Sequence, residues 1–129
     1  MNKTQVNPWT WQDNFGFSQG WKVDEGKSVI FVSGQASISA EGVVMHAEDF
    51  AAQVRLTFEN IKIVLEQAGA SLEDVVKLGA YFVDIGKLPE YGAVQAEFFK
   101  GKMPAQTAVG VSGLALPGMM IEVEAYAVV

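Results

Sequence analysis

Apolar residues change their spacing several times along the chain, and each change marks an element. Lys27-Ser28-Val29-Ile30-Phe31-Val32-Ser33-Gly34-Gln35, opened by Glu25-Gly26, is a β-branched and aromatic run that reads as a buried strand. Phe17 to Val23 is expected to pair with it as a hairpin. Ala40-Glu41-Gly42 then turns into a short strand, Val43-Val44-Met45, which delivers the chain to Glu48-Asp49, an acidic helix start that suits the positive end of the helix dipole. From there to about Ala68 the positions Phe50, Val54, Thr57/Phe58, Ile61, Leu65 and Ala68 recur at intervals of three and four. Glu48, Arg55, Glu59, Lys62 and Glu66 form the opposite stripe, so the pattern predicts an amphipathic helix capped by Gly69.

Beyond it, Asp74 to Val83 is apolar on both alternating faces except at Lys77, the pattern of a strand in the middle of a sheet. Leu88-Pro89-Glu90 opens a second helix with proline at a tolerated first-turn position. Tyr91, Val94, Gln95 and Phe98 supply its inner face, and Gly101 ends it. Gln106 to Val111 and Met119 to Val128 read as two further strands around a turn at Leu116-Pro117-Gly118. The order predicts an α+β fold in one domain spanning 1–129, a single mixed sheet with two helices on one face. The other face needs a partner.

Composition agrees with that picture. Half of the 129 residues are apolar and 19 % are charged, so some apolar surface is expected to be buried between subunits. Nine Lys+Arg against fifteen Asp+Glu give a net charge of −6, a field that repels phosphate backbones, and nucleic acid is not an expected partner. Cysteine is absent, which removes disulfides, thiolate nucleophiles and thiolate metal sites. Met1-Asn2-Lys3-Thr4-Gln5 lacks an apolar signal core and no apolar run reaches the roughly 18 residues of a membrane span, so the expectation is a cytoplasmic protein without a membrane partner.

The chemical inventory is short. His46 is the only histidine and has no second ligand at metal-binding spacing, so it reads as a loop or strand-end residue and no metal is expected. The glycines match neither a dinucleotide fingerprint nor a phosphate loop. Ser33 lacks the glycine flanks of a nucleophile elbow and reads as a strand-terminal turn. In Met119-Met120-Ile121-Glu122-Val123-Glu124-Ala125-Tyr126, alternation puts Glu122 and Glu124 on one strand face with Tyr126. Two acids on one face can divide acid and base roles, with a water held by one carboxyl attacking an electrophilic carbon. Spacing alone favours a solvated or lysine-paired face, since Glu-x-Glu on an edge strand is common surface chemistry. Trp9, Trp11, Phe15, Phe17 and Trp21 can line an apolar pocket or pack an N-terminal arm against a neighbour.

Several collinear stretches, taken together, resemble the Rid family of small trimeric proteins, also called YjgF or L-PSP proteins. They are Phe17-Ser18-Gln19-Gly20, Ser33-Gly34-Gln35, Gln53 with Asn60, Ala68-Gly69, Val76-Lys77, Tyr81, Asp84, Phe98-Phe99, Pro104-Ala105 and Ile121-Glu122-Val123-Glu124-Ala125. The resemblance spans nearly the whole chain. It implies a chorismate-mutase-like subunit, a homotrimer whose sheets form a central barrel, and a small-molecule cleft at each subunit interface. It also implies enamine/imine deaminase chemistry without any cofactor, with Glu122 positioning the attacking water and Gly34 and the backbone of Ala108 bordering the ligand.

Three polar positions of that resembling pocket differ here. Phe17 stands for its tyrosine, Gly92 for its helix asparagine and Gln106 for its carboxylate-binding arginine. Arginine offers a carboxylate a charged bidentate fork and glutamine one neutral hydrogen bond. A charge-assisted bond contributes roughly 1.5–3 kcal/mol and a neutral one about 0.5–1.5, so affinity for an anion falls on the order of tenfold. Arg55 is the sole arginine and belongs to the first helix's charged stripe, while Lys100 and Lys102 are the nearest other cations in sequence. Gly92 inside a helix costs about 1 kcal/mol relative to alanine, which points to extra room or close backbone approach beside the pocket. Two readings follow. One is a hydrolase that keeps the glutamate-held water for a less anionic or bulkier electrophile, and the other is a non-catalytic homotrimer that binds a metabolite or a protein. Ribonuclease activity, sometimes attached to the family, is disfavoured by the acidic balance and the lack of a histidine pair.

Overall fold

The structure, a computed structural model, describes residues 2–14, 17–101 and 103–129, so Phe15 and Lys102 lie outside the described residues. Strands β1 (Asn2–Val6), β2 (Gly20–Asp24) and β3 (Val29–Gln35) precede helix α1 (Phe50–Gln67). Then come β4 (Val75–Phe82), α2 (Leu88–Phe98), β5 (Ala105–Gly110) and β6 (Ile121–Val128). One sheet runs β3-β6-β4-β5, with β6 antiparallel to both neighbours and β4 parallel to β5. The parallel pair needs a crossover, and α2 is that crossover. Both helices cover one face, α1 against β3 and β6 with α2 alongside it. This is the α+β arrangement with a mixed sheet that the pattern predicts.

The core lies between those layers. Val54, Phe58, Ile61 and Leu65 of α1 meet Leu78, Phe82, Ile121 and Val123, each with no exposed surface. Burying one such side chain stabilises the fold by about 1.5–3 kcal/mol, which is why the three-and-four spacing decides this helix. Asp49 caps it, accepting the Ala52 amide at 3.1 Å, and Gly69 takes the left-handed conformation (φ +81°) just past its end. The amide of fully buried Gln53 ties three loop groups together. It donates to the carbonyls of His46 (3.0 Å) and Gly118 (2.8 Å) and accepts from the Met120 N–H (3.0 Å).

Three expectations need correction. The segment Phe17 to Val23 does not pair with β3: β2 pairs antiparallel with β1, a strand that the apolar pattern does not predict, and Ser18, just before β2, bridges Ala105 of the main sheet. Val43 to Met45 forms no strand, only a bridge between Val44 and Ile38, because Val43 and Met45 are exposed with nothing to bury against. Strand β6 is interior, so its Glu-x-Glu is not an edge feature. Arg55 of α1 forks onto Glu97 of α2, at 3.1 and 3.0 Å.

The sheet face away from the helices is uncovered. Phe31 is 73 % exposed there, stacked edge-on against Tyr126, and Lys77 donates to the Thr107 hydroxyl at 2.8 Å. Among the described residues no helix is long and apolar enough to cross a membrane, and no three His, Cys, Asp or Glu side chains gather to hold a metal ion.

Candidate functional site

A cavity of about 780 Å³ opens between α2, β5 and the loop that precedes β2. That volume is typical of small-molecule sites. Trp11 and Phe17 form one wall, edge to face with ring centroids 5.6 Å apart. Gly92 of α2 faces the cavity, and a Cβ added there would meet nothing within 4 Å. Of the two explanations for a glycine inside this helix, extra room is therefore the one observed.

Gln106 and Ala108 come from β5, whose alternation turns both towards the helices. The Gln106 amide is held at both ends: the Tyr91 hydroxyl donates to its Oε1 at 2.6 Å, and its Nε2 donates to Gln95 Oε1 at 2.9 Å. Gln95 Nε2 in turn points at the Met103 sulfur, 3.9 Å away. Tyr91 and Gln95 are buried on the inner face of α2, and burial pushes the Tyr91 phenol far above its ordinary pKa, so it stays a neutral donor. None of the twelve described residues that line the cavity is charged.

A second constellation lies on the uncovered face. Along β6, Glu122 and Glu124 point away from the helices and sit opposite Tyr81 and Gly79 of β4. The bulge between Val32 and Gln35 brings Gly34 over Glu122, and a Cβ at Gly34 would fall 2.5 Å from Glu122 Oε1. Glycine here makes space for the carboxylate. Glu124 is seated against Gly79 and accepts from the Tyr81 hydroxyl at 3.1 Å, a bond that is the main cause of the raised Tyr81 pKa. Among the described residues, Glu122 has no such hydroxyl partner. The two acids are thus unequal, one committed to a tyrosine and one available to a water or ligand.

A family model described as endoribonuclease L-PSP matches residues 14–129. The chain belongs to the Rid (YjgF/L-PSP) family. A RutC family protein of Pyrococcus abyssi is 40 % identical over 111 residues, which cover 86 % of this chain and 84 % of that protein. The 3-aminoacrylate deaminase RutC of Acinetobacter baylyi is 36 % identical over 100 residues, covering 78 % of this chain and 79 % of the deaminase. Among solved structures, a Yersinia pestis protein of unknown function from the conserved Rid family is 33 % identical and superimposes with a TM-score of 0.89 over 100 % of both chains.

In this Rid subunit the six candidate residues fall into two groups. Phe17, Gly92, Gln106 and Ala108 border one cavity, while Gly34 and Glu122 meet each other across the sheet from it and do not line it. Tyr91 and Gln95 carry no spacing that marks them as site residues, although a glutamine on the inner face of an amphipathic helix is a signal that something polar faces it. Other candidates are placed elsewhere. His46 is an exposed loop residue with positive φ (57°), and Ser33 lies within β3 at the bulge rather than in a terminal turn. Trp21 donates to the Met103 carbonyl at 3.0 Å outside the cavity, and Lys100 folds back on the Ala96 carbonyl at 3.1 Å.

Proposed function

We propose that this Rid protein is a homotrimer that binds a small metabolite between subunits and hydrolyses an imine, enamine or related electrophile with a water held by Glu122. The observation that carries this reading is the split between the two constellations. Glu122 with its glycine seat lies on the uncovered face of the sheet, and the cavity beside Gln106 lies on the helix side. They lie on opposite faces of one sheet, and a second copy docked on the uncovered face would bring the two together. Phe31 at 73 % exposure is the apolar surface such docking would bury. The similarity to a 3-aminoacrylate deaminase supports the reaction class.

In that arrangement the ligand sits in the cavity of one protomer and Glu122 of the partner subunit takes a proton from water as its oxygen bonds to the C=N carbon. That proton passes to nitrogen to give a carbinolamine, whose hydroxyl proton then moves to the amine as the C=O bond forms and the C–N bond breaks, so that an imine plus water becomes a carbonyl compound plus ammonia. Resemblance puts a carboxylate-binding arginine where Gln106 stands, so the substrate here is less anionic than a 2-imino acid. Ribonuclease chemistry, named in the description of the family model, has less support: the net charge is −6 and His46 stands alone.

Ammonia release from freshly generated imines, measured beside Glu122→Gln, tests the proposal. Turnover that drops to the uncatalysed rate in the variant supports it. Equal rates in both proteins, at the uncatalysed level, would make the chain a binding protein.

A further inference from the structure

If the cavity beside Gln106 is the ligand site, as the proposed function has it, the chemistry of its wall also sets the class of ligand. Gln106 has spent one Nε2 proton on Gln95 and one Oε1 lone pair on Tyr91. One donor position and one acceptor position remain on the same amide. That pair is complementary to another amide, whose carbonyl accepts from Nε2 while its N–H donates to Oε1. A carboxylate has acceptors only. One of its oxygens can meet the Nε2 proton, but the other faces the Oε1 lone pair, and none of the twelve described lining residues is a cation that offsets its lost hydration. The rest of the space is bounded by the Trp11–Phe17 wall and by Leu88 and Met103, which suit a flat or branched apolar body.

We infer that the cavity selects uncharged molecules with an aromatic or branched apolar body ending in a carboxamide or amide-like carbonyl, and rejects the carboxylate of the same shape. The relay from Tyr91 through Gln106 to Gln95 sets this preference, because it fixes which end of the Gln106 amide donates and which accepts. Tyr91 and Gln95 act as positioning residues.

The probes are 2-phenylacetamide and phenylacetate, nearly equal in shape and different in charge. Each is titrated into isotope-labelled protein while the Gln106 side-chain amide and the Trp11 indole signals are followed by NMR. The amide should bind at least about tenfold more tightly than the carboxylate, with shifts at both groups. Gln106→Arg should reverse the order. Gln106→Leu, which adds no charge and removes the paired hydrogen bonds, should erase the advantage of the amide and guards against an arginine variant that fails to fold. Equal or tighter binding of phenylacetate to the unaltered protein overturns the inference, as does a titration in which neither probe moves Gln106 or Trp11. Neither probe is an imine. An amide preference without ammonia release therefore removes the hydrolase and keeps the selectivity, whereas Glu122-dependent release with the carboxylate preferred does the reverse.

Discussion

A Cβ placed on Gly34 would stand 2.5 Å from Oε1 of Glu122, 2.8 Å from its Cδ and 3.0 Å from its Cγ. Contacts that short move the carboxylate and leave the strand, because the end of a glutamate is the softer partner. Gly34→Ala should therefore stay within about 1 kcal/mol of the parent in urea unfolding, as expected for a strand glycine replaced without backbone strain. Ammonia release should fall about tenfold or more, since a base displaced by an ångström no longer aligns its water. Adding Gly34→Ala to a Glu122→Ala variant should cost little further, because the glycine acts only through that carboxylate. Losses that simply multiply would separate the glycine from the acid.

The hydrogen bond from Tyr91 to Gln106, 2.6 Å long, makes the glutamine position structural as well as chemical. Tyr91 is 1 % exposed, so removing its acceptor leaves a buried hydroxyl unpaired. Gln106→Arg should cost about 1–3 kcal/mol of stability on that ground. In a Tyr91→Phe background, where no hydroxyl is left to satisfy, the same substitution should cost about 1 kcal/mol less. A double-mutant cycle by urea unfolding measures this coupling. A coupling near zero would mean that the bond contributes nothing and that the position is free to vary.

Stability should also carry a small acid-dependent component from the pair Arg55–Glu97. The hydrogen bond from Arg55 holds the Glu97 carboxyl below its ordinary 4.5 in the folded protein. A depressed carboxylate contributes fully above its unfolded pKa, and the contribution disappears as pH falls through the folded value. The thermal midpoint of the parent should thus exceed that of Glu97→Gln at neutral pH, with the gap closing as pH falls through the lowered value of Glu97. Both groups are exposed, so the gap should also narrow in about 1 M salt. A gap indifferent to both pH and salt would rule out the ion pair as its source.

The parts of this fold that were legible from sequence are those where one face is buried and periodicity records it. Phe50, Val54, Phe58, Ile61 and Leu65 announce α1, and Ile121, Val123 and Ala125 announce the inward face of β6. Strand β1 was not legible because Asn2-Lys3-Thr4-Gln5 has no apolar alternation and is placed by backbone pairing with β2. Alternation also gives a strand its faces but not its neighbours, so the interior position of β6 had no local signal. The site followed the same rule. Glu122 and Gln106 were visible as residue types, whereas the bond between Gln95 and Gln106 joins a helix to a strand eleven residues away, a spacing that belongs to no single-element template. Gly34 was visible as a glycine within a β-branched run, and its purpose emerged only with the bulged pairing of β3 and β6.

The separation of Gln106 from Glu122 across one sheet allows a test of shared sites that needs no ligand-bound structure. Gly92 faces the open cavity, so Gly92→Trp should fill it while leaving the core intact. Under the proposed function this variant is inactive for want of space, and Glu122→Gln is inactive for want of a base. Each retains what the other lacks. If a site uses the cavity of one copy and Glu122 of the next in a closed ring, random mixing gives a site both a sound cavity and a sound glutamate with a chance of one half each. Unfolding the two variants together at equal concentration and refolding them should therefore restore about a quarter of parental ammonia release. Mixing without unfolding should restore activity only as fast as subunits exchange. If the base and the cavity belonged to the same chain, no mixed assembly would contain a complete site, and the refolded mixture would stay inactive.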